Sequence, residues 1–347
     1  LSVRKKRHRI TAEKLHKLRA LLSGADTMAI VMQDSPDPDA IAAAAGLRFL
    51  ANSLYQCACS LFYSGRMGRS ENEAMVRYLG LNLREASAAD FETFDLTALV
   101  DTQPQTGNNS LPESCTPDIV IDHHPIRPLT RRATFTDIRS RYGATASIIY
   151  EYIAEARLHP SAQLATALVY GIRSDTQDLG RETTSADIEA YLALYPRANK
   201  RMLSRIEHAP VPKNYFQMLT RALRNARLCG PCLTVGLGRV DHPDMISEVA
   251  DLLLRHQDTA WVLCYGEFES RLLLSLRTTD TQADSGQIMR RVAGRRGTGG
   301  GHRTLAGGQI PISGLSREEI ARQEKDLVTR FLQQVGAGKC VPELFLS

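Results

Sequence analysis

TMAIVMQDSPDPDA, residues 27–40, begins as an apolar run of strand length and ends in a proline-punctuated acidic turn; IAAAAGLRFL, 41–50, then supplies the small and apolar residues of a buried helix. Strand, acidic turn and helix in that order open an α/β unit. The pattern recurs as LTALVDT (96–102), DIVIDHH (118–124) and TALVYGIRSDT (166–176), each an apolar run closing on acidic or histidine residues. The expected strands are 27–33, 55–63, 96–101, 118–122 and 165–174, paired in a parallel sheet. Ligands of open α/β sheets bind beyond the carboxyl ends of the strands. Asp37, Asp39, Asp101, Asp122, His123, His124 and Asp175 are therefore expected to share one cleft.

The 347 residues are enough for two domains, and 43% hydrophobic with 23% charged residues is a globular balance. No stretch approaches the ~20 apolar residues of a membrane span, so no membrane partner is expected. The basic opening lacks the apolar core of a signal peptide, and seven cysteines do not form a disulfide framework. The chain reads as a soluble cytoplasmic protein trimmed at its N-terminus. Cys229-Gly-Pro-Cys232 matches a CxxC redox motif but is read as coincidence, because an apolar run follows it in place of a helix. Residues 1–20 carry eight Lys/Arg against Glu13 alone, +7 of a net +5, so the remainder sums to −2. Residues 1–24 form a basic arm, read as a phosphate contact or a frayed, solvated terminus, with the latter favoured.

A helix is expected from Thr184 or Ser185, and the segment Tyr195 to Pro212, with three prolines, reads as a hinge. Beyond it the expected elements are a helix at 215–225, strand 232–240, helix 243–256, a hairpin of 259–267 and 270–278, a helix at 284–296 and a last strand at 305–312. The glycine run 297–301 lets backbone N–H groups approach a phosphate. Arg290, Arg291, Arg295 and Arg296 before it, and His302 and Arg303 after it, make an anion site the better reading, with at least two of those four arginines on a solvated face.

Asp37 and Asp39 repel each other unless a cation sits between them. Divalent ions such as Mn²⁺ and Mg²⁺ take oxygen ligands, and Mn²⁺ accepts imidazole. Adding Asp101, Asp122, His123, His124 and Asp175 supplies ligands for two ions about 3.5–4 Å apart, with one carboxylate bridging. The polar loops 65–72 and 105–110 (Asn108 and Asn109 in the latter) either line the cleft or make turns.

With PDPDA at 36–40, VDT at 100–102, IDHHP at 121–125, SDT at 174–176 and GGGHRTLAGG at 299–308 in this order, the sequence resembles the DHH phosphoesterases over roughly residues 25–315. It is most similar to the two-domain group of nanoRNases (oligoribonucleases) and pAp phosphatases. The resemblance implies an α/β fold with an N-terminal parallel-sheet DHH domain (25–195), a linker (196–212) and a smaller C-terminal α/β DHH-associated domain (213–347). It implies that Asp37 and Asp101 bind one metal and that Asp39, Asp101, His123 and Asp175 bind a second. His124 would face the scissile phosphate, Asp122 would orient a ligand histidine, and Arg277 with Gly299, Gly300, Gly301, His302 and Arg303 would grip the substrate phosphate. Where many members carry a histidine ligand, this chain has Gln33, a poorer donor for Mn²⁺.

The resemblance implies a Mn²⁺-dependent hydrolase with two ions, tolerant of Mg²⁺, acting as an exonuclease on short oligonucleotides or on pAp. Cyclic or linear dinucleotides, pyrophosphate or polyphosphate, and nucleotide binding without turnover are the alternatives. A homodimer is left open.

Overall fold

The computed structural model describes residues 3–86, 91–301 and 303–346, and the chain separates into two units, 1–209 and 210–347. The first unit runs α1 (Val3–Leu22), β1 (Thr27–Val31), α2 (Pro38–Tyr55), β2 (Ala58–Tyr63), α3 (Ser70–Tyr78), β3 (Leu83–Glu85), β4 (Leu96–Val100), β5 (Ile119–Asp122), β6 (Phe135–Ile138), α4 (Thr145–Glu155), α5 (Ala162–Asp175), α6 (Ser185–Leu194) and α7 (Lys200–Glu207). Its six strands are ordered β3-β2-β1-β4-β5-β6 and every pairing is parallel. Met28, Ala29, Ile30 and Val31 are buried in succession, as a strand covered on both faces requires. The chain runs outward from β1 to β3, then returns to the other side of β1 with β4. The crevice of such a sheet lies where that order reverses, beyond the carboxyl ends of β1 and β4.

α2 starts where the sequence punctuates it. Asp37 is its N-cap, accepting from the Ala40 N–H at 2.9 Å, and Pro38 occupies the first turn. Ala40 to Ala45 are all buried, so small side chains bring neighbouring helices close. The tightest approach is Gly171 of α5, where a Cβ would lie 2.9 Å from Ala42 Cβ, 3.0 Å from the Pro38 carbonyl and 3.2 Å from Asp39 Cα.

Three expectations are corrected. Residues 165–174 are not a strand: they lie within α5, buried at Leu164, Ala165, Thr166, Ala167, Leu168, Val169, Gly171 and Ile172. A helix enclosed on most sides has the same unbroken apolar run as a buried strand, and length and caps decide between them. Here Ser161 caps the helix, accepting from Leu164 N–H at 3.2 Å. The basic arm is not frayed, because α1 buries Leu15, Leu18 and Leu22, and Arg7 pairs with Glu151 (2.8 Å) and Glu189. The hinge region contains α7, held at its start by the Asn199 cap.

The second unit runs α8 (Lys213–Asn225), β7 (Arg227–Cys229), β8 (Cys232–Arg239), α9 (Asp244–Leu253), β9 (Trp261–Phe268), β10 (Arg271–Thr278), α10 (Ser285–Ala293), β11 (Thr298–Gly301), β12 (Leu305–Pro311), α11 (Arg317–Gln334) and β13 (Glu343–Leu344). Its sheet is ordered β11-β12-β10-β9-β8-β7-β13 and mixed, with β8 and β9 parallel. The expected hairpin turns at Glu269-Ser270, later than the sequence pattern placed it. Residues 298–301 of the glycine run form an edge strand, β11. α11 had no counterpart in the expected elements, although Ser316 and Glu319 form a capping box and Ile320, Leu327 and Phe331 keep helical spacing. Cys229 is disulfide-bonded to Cys340, not to Cys232, so a disulfide is present where none was expected and the CxxC cysteines are unlinked. No described helix is long and apolar enough to cross a membrane.

Gly171→Val would force the start of α2 off α5 because the contacting atoms include backbone. Chemical denaturation is expected to show a loss of about 1–3 kcal/mol, whereas Gly80→Ala, with open space around it but a left-handed backbone, should cost less.

Candidate metal centre

Four carboxylates and one imidazole meet beyond the carboxyl ends of β1, β4 and β5. Asp37 caps α2 and Asp39 lies in its first turn. Asp101 follows β4, His123 follows β5, and Asp175 is the last residue of α5, a helix end and not a strand end. His123 Nε2 lies 3.1 Å from Asp175 Oδ2 and 3.6 Å from Asp101 Oδ1. Ligand atoms of Asp39, His123 and Asp175 fall within 4.8 Å of one another, and so do those of Asp101, Asp122, His123 and His124.

Each group is aimed by a specific contact. Asp39 accepts the Thr145 N–H at 2.6 Å and the Ala146 N–H at 2.8 Å, placing a buried carboxylate on the positive end of α4. Thr145 Oγ1 donates to Asp101 Oδ1 at 2.7 Å. Asp101 has a left-handed backbone, φ 60°, which aspartate tolerates better than most residues. His123 Nδ1–H donates to the Tyr142 carbonyl at 3.0 Å, which fixes the tautomer and leaves Nε2 for a ligand.

His124 takes a different environment. Its Nδ1 is 2.8 Å from Asp122 Oδ1, and its backbone N–H donates to the same oxygen at 3.0 Å, while the imidazole is 41% exposed. Asp122 is buried; its other oxygen accepts from Gln103 Nε2 at 2.7 Å. Gln103 Oε1 accepts from Arg127 N–H and Thr130 Oγ1, each at 2.7 Å. The structure thus pairs Asp122 with His124 and not with His123, whose partners are the Tyr142 carbonyl and Asp175.

The electrostatics favour a cation among these groups. Burial, then the nearby Asp101, pushes Asp39 well above the usual carboxylate range; burial, then Asp37, does the same to Asp101. Asp37 is raised by burial and by Asp175. For His123, burial opposes the cation, but the hydrogen bond to Asp175 and the charge of Asp101 outweigh it and hold its pKa well above the ordinary value. Asp122 and Asp175 stay below theirs: burial opposes ionisation, but the hydrogen bonds from His124 and His123, respectively, outweigh it. Buried carboxylates that resist ionisation for want of a counter-charge, arranged around His123 Nε2, fit a divalent cation with oxygen and nitrogen ligands.

Gln33 is half-buried two residues past β1, and its backbone bridges to Asn109. Asn109 Nδ2 donates to Thr102 Oγ1 and to the Gln103 carbonyl, so 105–110 is fastened to the site's rim by turn chemistry. The expected loop 65–72 ends inside α3, whose buried Asn72 donates to the Pro36 carbonyl at 3.1 Å, bracing the acidic turn. The sequence reading did not single out Gln103, Tyr142 or Thr145. Gln103 adjoins the VDT motif, and Gly143-Ala144-Thr145-Ala146 had the small residues of a helix start packed against something, the one signal available.

In the second unit, Arg277 lies on β10 opposite Leu305, one position from the Ala306–Gly301 pair. Its Nε donates to Asp251 at 2.6 Å and one terminal nitrogen to Ser275 Oγ at 2.9 Å. Arg303 is exposed, its carbonyl taken by Ser285 Oγ at 2.7 Å. Gly299 and Gly301 have no room for a Cβ, against Met289 and against Leu305 and Ala306, whereas the space around Gly300 is open. His302 lies outside the described residues. Arg291 turns to Gln334 at 2.8 Å, and Arg290, Arg295 and Arg296 are solvent-exposed.

The model of the DHH family, N-terminal domain, matches residues 27–172, and that of the DHHA1 domain matches residues 230–335. The chain belongs to the DHH family, with the two-domain organisation those matches describe. It is 33% identical over 314 residues to an uncharacterized protein of Methanocaldococcus jannaschii, covering 88% of this chain and 64% of that one. The chain therefore spans less than two thirds of that relative's length. An exopolyphosphatase-related protein from Bacteroides fragilis superposes with a TM-score of 0.71 at 14% identity, over 92% of this chain and 97% of the other. RecJ from Thermus thermophilus, in complex with Mn²⁺, gives 0.55 at 14% identity, over 92% and 54%. At these identities the likeness is one of fold.

Two outcomes are expected. Cation binding displaces protons held by His123 and by the raised carboxylates. These raised groups make the metal-free protein lose stability as pH rises through their folded pKa values. The thermal midpoint gained on adding Mn²⁺ should therefore be larger at about pH 8 than at about pH 5, read by differential scanning fluorimetry. Gln103→Leu should leave the fold intact and lower activity or metal affinity about 10–100-fold by releasing Asp122, read by metal titration and by turnover.

Proposed function

We propose that the chain is a metal-dependent phosphoesterase acting on short oligonucleotides or nucleotide phosphates, with Mn²⁺ as its preferred ion and two ions in the site. The observation that carries this reading is that Asp39 and Asp175 meet His123 in one group and Asp101 meets the same His123 in another at the sheet's reversal point, with Asp37 close enough to act electrostatically on Asp101. Asp37 and Asp101 would hold one ion, and Asp39, Asp101, His123 and Asp175 the other, with Asp101 shared. Gln33, two residues past β1, is a weaker candidate for the first. Such a pair, when bound, lowers the pKa of water and offsets charge on phosphoryl oxygens.

The chain's own groups do the rest. Asp39 and Asp101 stay in place because Thr145 and Ala146 hold them. The Tyr142 carbonyl keeps the His123 proton on Nδ1. His124, with Nδ1 against ionised Asp122 and a partly exposed imidazole, can carry a proton to a phosphate oxygen or leaving group. In the second unit, Arg277, Gly299, Gly300, Gly301, His302 and Arg303 are assigned to phosphate binding. The open space at Gly300 supports backbone approach by an anion.

A second reading, hydrolysis of pyrophosphate or polyphosphate, is favoured by the fold likeness to an exopolyphosphatase-related protein. Hydrolysis of a ribodinucleotide, pAp, a cyclic dinucleotide, pyrophosphate and polyphosphate, with Mn²⁺, Mg²⁺ or EDTA, separates them. Turnover of the ribodinucleotide or pAp is expected with Mn²⁺, abolished by EDTA and by Asp101→Ala. Turnover confined to pyrophosphate or polyphosphate would replace the first reading with the second, and a metal-loaded protein inert to the whole panel would remove both.

A further inference from the structure

α2 carries Asp37 and Asp39 at its start and, nine residues beyond Asp39, Arg48; at 1.5 Å per residue this is about 14 Å along the helix. Arg48 lines a cavity of about 780 Å³ at the opposite end of the sheet, beside Thr27 and Ala58, the first residues of β1 and β2. The volume falls within the range of small-molecule sites. Phe49, Asn52, Leu81, Arg84 and Phe94 complete the part of the lining that matters here.

The charge that the lining carries is positive. Among the described residues no carboxylate lies within ion-pair distance of Arg48 or Arg84, and neither guanidinium has a hydrogen-bond acceptor there. Asp95, beside the cavity, is already engaged, its Oδ2 accepting from Asp26 N–H (3.0 Å), Thr27 N–H (2.9 Å) and Thr27 Oγ1 (2.9 Å). Burial, the larger influence, lowers the Arg48 pKa. Ser161, Gln163 and Leu164 also border the cavity, so the N-terminus of the 14-residue α5 adds a third positive element: Ser161 Oγ takes the Leu164 N–H, and the Ala162 and Gln163 N–H groups have no acceptor within the helix. Phe49 and Phe94 supply aromatic surface next to these charges.

We infer that this cavity is a binding site for a small phosphate-bearing molecule with a planar ring, of the nucleotide class, separate from the carboxylate cluster. The phosphate would meet Arg48, Arg84 and the start of α5, and the ring would lie against Phe49 or Phe94. The inference stands independently of the phosphoesterase reading, because it uses none of the residues assigned to that site.

The test is calorimetric titration of the full chain with AMP, GMP and inorganic phosphate in EDTA, where the carboxylate cluster holds no metal. One equivalent of nucleotide is expected, bound more tightly than phosphate alone. Arg48→Met and Arg84→Ser should each weaken it at least about tenfold, with unchanged circular dichroism. Arg84 is exposed, so its variant keeps the test decisive should Arg48→Met not fold. Asp101→Asn should leave the affinity unchanged. No heat up to about 1 mM nucleotide, or affinity indifferent to the arginine variants, would overturn the site. Phosphate binding as tightly as nucleotide would overturn the planar-ring assignment, and loss of binding in Asp101→Asn would assign the nucleotide to the carboxylate cluster.

Discussion

Repulsion among buried carboxylates is the constraint around which the first unit is built. Asp39 and Asp101 are almost fully buried, and Asp37 and Asp175 lie close enough to raise their neighbours' pKa values. Water cannot screen charges placed this way. The protein holds them by fixed donors: two N–H groups at the start of α4, the Thr145 hydroxyl, the N-cap of α2 and the His123 imidazole. The close packing of Gly171 on the first turn of α2 follows from the same demand, since Asp39 can meet α4 only if α2 and α5 pack this tightly.

One short segment gathers most of this control. Between Tyr142 and Ala146 the backbone and one hydroxyl hold His123, Asp39 and Asp101. The segment is itself clamped: the Tyr142 hydroxyl donates to Glu151 at 3.0 Å, and Gly143 N–H donates to Asp187 at 3.0 Å. Glu151 also receives Arg139 (2.6 Å), Arg7 (2.8 Å) and the Thr11 hydroxyl (2.6 Å). Through Arg7 and Thr11 the basic helix α1 is thereby tied to the residues that aim the metal-ligand candidates.

The second unit uses glycine for two different ends. Gly299 and Gly301 let the edge strand pack on α10 and β12, while Gly300 leaves its Cα face open. A run of three therefore serves packing at its ends and access at its centre. Arg277, on β10 opposite Leu305, is held by Asp251 of α9, so its guanidinium has a fixed orientation.

Much of this was legible in the sequence. The apolar runs of β1, β2, β4 and β5, the Pro-Asp punctuation before α2 and the convergence of Asp37, Asp39, Asp101, Asp122, His123 and His124 followed from period and position, because strands of a parallel sheet all deliver their ends to one side; Asp175 joins them from the end of a helix. What the sequence did not separate was the buried helix α5 from a strand, since enclosure makes both uniformly apolar; nor did it reveal α11, whose stripe is diluted by charge. It also left open which histidine Asp122 serves, that Cys229 meets Cys340 across 111 residues, and that Thr145 and Gln103 hold the site. Asp122 meets His124 two residues away because packing turns His123 toward Tyr142 and Asp175, and the other contacts join segments distant in the chain; all arise only when helices and sheet pack, and no local pattern of residues records them.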